Sequence, residues 1–127
     1  YDPDTWRPYC HVLDFSRAID KILFNKNKQL DFEIFNVGND KNNYSKIAML
    51  KLIIKVMGKG SYKILKDSKD KRNYKVDFSK IKKTLNFSTK YDLKYGIKEI
   101  VNSLKKNKIT LKKTDYMGNY EIIRKKK

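Results

Sequence analysis

Residues 6–14 read Trp6-Arg7-Pro8-Tyr9-Cys10-His11-Val12-Leu13-Asp14, and they decide the fold. Tyr9 to Leu13 carries the aromatic and branched side chains that suit a short strand. Asp14 stands where a helix N-cap belongs, before a helix over 15–24. In it Phe15, Ala18, Ile19, Ile22 and Leu23 recur at the spacing of one apolar face. Strand alternation points Arg7 and Tyr9 the same way. A guanidinium at the strand's entrance suits an anion, because its planar fork can grip two oxygens of a phosphate or carboxylate at once.

At 127 residues the chain holds at most one domain, large enough for a single core. It starts without Met, in a loop two residues before Pro3, which leads us to expect the C-terminal portion of a longer protein. The net charge of +17 suggests a polyanion partner on its face. Only four of the 31 basic residues are Arg, however, at 7, 17, 72 and 124, and the Lys residues are spread along the whole chain. A solvated, Lys-coated surface is the better reading of such scatter, and nucleic-acid binding the poorer one. One cysteine excludes an internal disulfide and gives no basis for a zinc site. Cys10 is expected as a small buried hydrophobe. No apolar run has membrane-spanning length, and a cytoplasmic location is the default.

Along the rest of the chain, Phe32 to Val37 is the next strand candidate, ended by Gly38. Asn43 is expected to cap a long helix with Ile47, Leu50, Ile54 and Met57 on one stripe, closed by Gly58 and Gly60. Tyr62 to Leu65 is a short strand candidate, Lys66 to Asn73 a charged loop, and Tyr74 to Val76 briefly extended. Asp77 should cap a short helix with Phe78, Ile81 and Leu85 inward. Asp92 should cap a further helix in which Leu93, Ile97, Ile100, Val101 and Leu104 share a face. Gly96 inside that helix costs stability, which points to a close approach there. The signal fades from Asn107, and Lys125 to Lys127 is expected to be a disordered end.

Several of these pieces carry a resemblance. Arg7-x-Tyr9-x-His11-Val12-x-Asp14 followed by a helix resembles a C-terminal motif of the extended short-chain dehydrogenases/reductases. These are the NAD-dependent epimerases and dehydratases of nucleotide sugars. Phe35-Asn36-Val37-Gly38 is similar to that family's strand end, and Asn43 to an Asn at the start of its next helix. Asp70 to Ile81 resembles its basic loop and Asp-x-x-Lys helix, and Leu85-Asn86-Phe87 with Gly96-Ile97 a later pair of motifs. The resemblance covers residues 6–104 in order. It departs at Pro8, where many members have Asp.

The resemblance implies that Arg7 contacts the diphosphate of a nucleotide sugar. It also makes Asn43 a substrate contact, and puts a further phosphate or ribose contact in the basic loop, where Lys66, Lys69 and Arg72 stand. Arg72 is the preferred residue there. Tyr9 could stack or hydrogen-bond at the nucleotide. The plainer readings stay open beside these: an ion pair of Arg7 with a carboxylate such as Asp14, a core role for Tyr9, helix capping alone for Asn43, and solvated loop charges for Lys66 and Arg72. His11, the only histidine, sits between apolar neighbours and is expected to be a hydrogen-bonded structural residue.

The family's catalytic equipment is missing from this sequence. No glycine-rich turn follows a strand to cradle a dinucleotide. Tyr62 and Lys66 have the spacing of the active-site pair but lie in a strand and loop, and from Tyr91 the fourth residue on is Tyr95 instead of Lys. The chain alone is therefore expected to be inert. NAD(P) would be held by the N-terminal Rossmann half of the parent, itself expected to be a homodimer. The expected fold class is α/β in the mixed α+β sense. It is the substrate-binding C-terminal portion of an extended short-chain dehydrogenase/reductase, with short strands and about four helices, the Rossmann half being absent. Residues 1–107 make that portion and 108–127 a basic tail. The rival readings are a Lys-rich module for nucleic acid or another polyanion, and a catalytically dead homologue.

Overall fold

The computed structural model describes residues 2–26, 30, 32–64 and 72–106. Among them are four α-helices and a two-stranded antiparallel sheet, a mixed α+β arrangement. Strand β1 is Trp6–Pro8, and helix α1 is Val12–Leu23. A 3-10 turn at Asp40–Asn42 leads into strand β2, Asn43–Ser45, which continues directly as helix α2, Lys46–Met57. Helices α3, Ser79–Leu85, and α4, Leu93–Lys105, follow. The expected tail 108–127, Lys66 and Lys69 lie outside the described residues.

The ribbon pairs Trp6 with Ser45, Arg7 with Tyr44 and Pro8 with Asn43. Backbone bonds prolong the contact at both ends: Tyr9 N–H donates to Asn42 O at 3.0 Å, and Lys46 N–H to Thr5 O at 2.9 Å. The expected strand over 9–13 is thus displaced to 6–8. Pro8 lacks an N–H and closes the strand. Helix α1 then begins three residues earlier than expected, because the His11 side chain caps it, its Nδ1 accepting from Leu13 N–H at 3.2 Å. Asp14 is therefore no cap. It lies in the first turn, fully buried, where its carboxylate accepts from Lys90 and Tyr91 N–H, both at 2.9 Å, and pairs with Arg17 at 2.5 Å.

That single carboxylate ties α1 to the segment leading into α4. His11 makes a second tie. With Nδ1 accepting, its proton sits on Nε2, 3.0 Å from Glu99 Oε2 on α4, and the ring lies tilted against Tyr91 and edge-on to Tyr95. Gly96 lies under this ring; a Cβ there would sit 3.4 Å from His11 Cδ2. The expected structural role of His11 matches these contacts.

The core gathers Ala18 of α1, Phe78, Ile81 and Leu85 of the α3 region, and Phe87, with Ile22, Leu30, Phe35, Val37 and Val76 half-buried around it. Phe78, Ile81 and Leu85 point inward as expected. Gly38 is required by this packing: a Cβ would stand 2.5 Å from Phe78 Cε1. Residues 33–37 have no regular secondary structure, with Phe35 and Val37 turned to the core, and no ladder partner pairs them among the described residues, so the expected strand does not form. Residues 62–64 form no strand either.

Two apolar faces are less buried than their periodicity implies. On α1 only Ala18 and Ile22 pack on the core; Phe15 is 50% exposed and Leu23 71%. On α4 Ile97 is buried while Ile100 is exposed. Cys10, expected inside a strand, instead follows β1 in a connecting turn and is exposed. Helix α2 is capped by Ser45, whose Oγ accepts from Ala48 N–H at 3.3 Å, and closed by Gly58 in the left-handed region, φ 76°.

Candidate functional site

The β ribbon and the irregular segment 72–77 together form the candidate site. Asn73 Oδ1 accepts the outward N–H of Trp6 at 2.9 Å, so a side chain stands where a third strand's carbonyl would be. Further along, the Asn43 carboxamide closes a ring on Val76: Nδ2 donates to Val76 O at 2.9 Å, and Val76 N–H donates to Oδ1 at 3.0 Å. The two bonds imitate a backbone ladder pair. Segment 72–77 is thereby held along β1 without being a strand.

This placement brings Arg7 and Arg72 together. Arg7 Nη1 donates to Trp6 O at 2.7 Å and also to Arg72 O. Its guanidinium carbon lies over the Tyr74 ring, 5.2 Å from the centroid. Lys75 reaches across to the neighbouring ring, its Nζ 3.8 Å from the Trp6 centroid. An open hollow of about 380 Å³ is edged by Trp6, Asp40, Asn43, Lys75, Val76 and Asp77, and Arg7 is not among its lining residues. Its carboxylates serve the backbone. Asp40 Oδ1 accepts from Phe78 N–H at 3.2 Å, and Asp77 accepts from the N–H and hydroxyl of Ser79 at 2.7 and 3.1 Å. The Ser79 N–H, then its hydroxyl and the Lys83 charge, hold Asp77 below the usual carboxylate range. Asp77, the expected cap, therefore supports α3 from one position before the actual N-cap, Phe78.

Tyr9 follows β1 and is half-buried. Burial pushes its phenol up, and the positive charge of Arg7 pulls partly against this. Tyr9 borders two hollows. One is lined by Pro8, Asn36 and Phe78; the other is an apolar groove of about 480 Å³ between the start of α1, α2 and α4. Asn43 departs from expectation: it lies in β2, two residues before the real cap Ser45, and its amide serves Val76 and Asp40. Asp14 is committed to Arg17 and to the backbone of Lys90 and Tyr91.

Sequence reasoning missed Tyr74, Asn73 and Lys75. An aromatic flanked by polar residues next to a basic loop was the available signal, but only the path of the chain shows that these residues meet Arg7 and Trp6. Among the described residues no three His, Cys, Asp or Glu side chains are grouped to hold a metal, and no helix is long and apolar enough to cross a membrane. No family model matches the chain, and no curated protein matches it.

Proposed function

We propose that this chain is the substrate-binding portion of an NAD-dependent nucleotide-sugar epimerase or dehydratase, in which Arg7 grips the diphosphate of the sugar nucleotide. The observation that carries the reading is the fixed guanidinium of Arg7. Two carbonyls hold Nη1 and the Tyr74 ring lies beneath it, with Arg72 brought alongside. A cation oriented in advance loses little rotamer freedom when it binds, and bidentate contact to phosphate is what the planar fork does best. In this proposal Arg72, whose backbone carbonyl holds Arg7 Nη1, and Tyr9 supply further contacts to the ligand. Lys66, in the basic stretch of sequence just before Arg72, lies outside the described residues.

The four glycines among the described residues do not offer a dinucleotide its phosphate turn. Gly38 is backed by the Phe78 ring, Gly58 and Gly60 follow the C-terminal end of α2, and Gly96 lies inside α4 under His11. None forms the turn from a strand into a helix N-terminus that a pyrophosphate needs. In this proposal NAD(P) and hydride transfer therefore belong to a Rossmann half of the parent. Calorimetric titration of the 127-residue chain tests the division: uridine diphosphate should give saturable heat and NAD none. Micromolar NAD binding would refute it.

A further inference from the structure

Asn43 was expected to reach the ligand, and its hydrogen-bond inventory speaks against that. A carboxamide has two N–H donors. Nδ2 spends one on Val76 O at 2.9 Å and one on Asp40 O at 3.1 Å. Its oxygen accepts Val76 N–H at 3.0 Å and keeps only acceptor capacity, which a phosphate cannot use. No donor is left to offer an anion.

The same bonds fix the position of something else. Val76 lies two residues from Tyr74, whose ring underlies Arg7, and four from Arg72, whose carbonyl holds Arg7 Nη1. Asn73 Oδ1 on Trp6 N–H is the other attachment of this segment to β1. Asn43 and Asn73 thus fasten segment 72–76 near its two ends, and Arg7 is oriented by the middle. We infer that Asn43 is a positioning residue: it sets the anion-gripping geometry of Arg7 by locking the Arg72–Val76 segment in place, and does not touch the anion. This rests on the proposed reading only in taking Arg7 as the anion contact.

The test uses two probes, inorganic pyrophosphate and uridine diphosphate, on the wild type, Asn43→Ala, Arg7→Ala and the double variant, well below each melting temperature. Asn43→Ala should weaken both probes by the same factor, about ten-fold or more, since a displacement near 1 Å is enough to forfeit such a contact. In the Arg7→Ala background the same substitution should cost almost nothing, because there is no guanidinium left to position. Val76→Pro deletes the N–H that Asn43 accepts without altering Asn43, and should reproduce the loss; it also keeps the test open if Asn43→Ala does not fold. Hydrogen exchange should show the Tyr74 and Val76 amides losing protection in Asn43→Ala. Full additivity with Arg7→Ala, or unchanged pyrophosphate affinity in Asn43→Ala and Val76→Pro, overturns the inference, as does a wild type that binds neither probe. Uridine diphosphate binding no tighter than pyrophosphate, with the non-additivity intact, upholds the positioning role and defeats only the nucleotide reading.

Discussion

The carboxylate of Asp14 accepts the backbone N–H of Tyr91 at 2.9 Å, across 77 residues of sequence. Asp14 is fully buried, with Arg17 and Lys90 N–H as its other partners. A buried carboxylate costs several kcal/mol to desolvate, and only this full set of partners offsets it. Removing it leaves two amides and a guanidinium without their acceptor. Asp14→Ala should lower stability by about 3–5 kcal/mol, and Asp14→Asn, which keeps one acceptor, by about 1–3 kcal/mol. Urea unfolding followed by circular dichroism measures both; a loss under about 1 kcal/mol for Asp14→Ala would mean that this junction is not what joins α1 to α4.

Gly38 leaves no room for a methyl group. A Cβ would lie 2.5 Å from one Phe78 ring carbon and 2.6 Å from the next, and that ring is core. Gly38→Ala should cost about 1–3 kcal/mol, the usual range for overpacking. Adding Phe78→Leu, which removes the ring, should make the two substitutions markedly non-additive in a double-mutant cycle. Simple additivity would place the Gly38 effect elsewhere.

Asp77 gives the fold an acid-sensitive element. Its folded carboxyl lies lower than when unfolded, chiefly because Ser79 N–H and the Ser79 hydroxyl bond the ionised form. The unfolded chain then holds the proton more tightly, so this contribution is present above the unfolded value near about pH 4 and fades as pH falls through the folded one. Asp77→Asn keeps an acceptor for Ser79 N–H but has no charge to lose. Its urea midpoint should fall less steeply than wild type below about pH 4. Parallel curves for the two proteins would remove Asp77 from the acid response.

The outer face of α1 is unusually apolar for a surface. Phe15, Ile19 and Leu23 are all more than 40% exposed, and Ile34 reaches 82%. A patch of this kind favours association. Sedimentation of the 127-residue chain should show concentration-dependent self-association, abolished by Phe15→Glu with Leu23→Lys. A wild type that stays monomeric at high micromolar concentration would show that this face is tolerated in water.

How much of this could be read from the sequence depends on whether the controlling partner is local. Asp92 accepts from Tyr95 N–H at 2.7 Å as a cap, and Phe78, Ile81 and Leu85 form a helical core stripe, because both patterns repeat within a few residues. The start of α1 was misplaced because His11 does the capping, an unusual residue for that job, while Asp14 three residues later has a cap's composition and a buried partner set that only distant segments supply. Phe32 to Val37 has the aromatic and branched residues of a strand, and Phe35 and Val37 do face the core, but composition cannot supply a pairing partner. In the candidate site, Arg7 was legible as a lone guanidinium beside aromatics. Its contacts with Tyr74 and the Arg72 carbonyl were not, since they join segments 65 or more residues apart.

The central claim is that Arg7 is the phosphate-gripping residue, and one pair of titrations tests it. Uridine diphosphate is titrated into wild type and Arg7→Ala, each shown to be folded by its unchanged unfolding curve. Loss of a bidentate charged contact is worth about 1.5–3 kcal/mol, so affinity should fall about ten- to a hundred-fold, with Arg7→Lys recovering only part because an ammonium lacks the fork. Equal affinity in wild type and folded Arg7→Ala would contradict the account and leave Arg7 as a purely structural tie between β1 and the Arg72 segment.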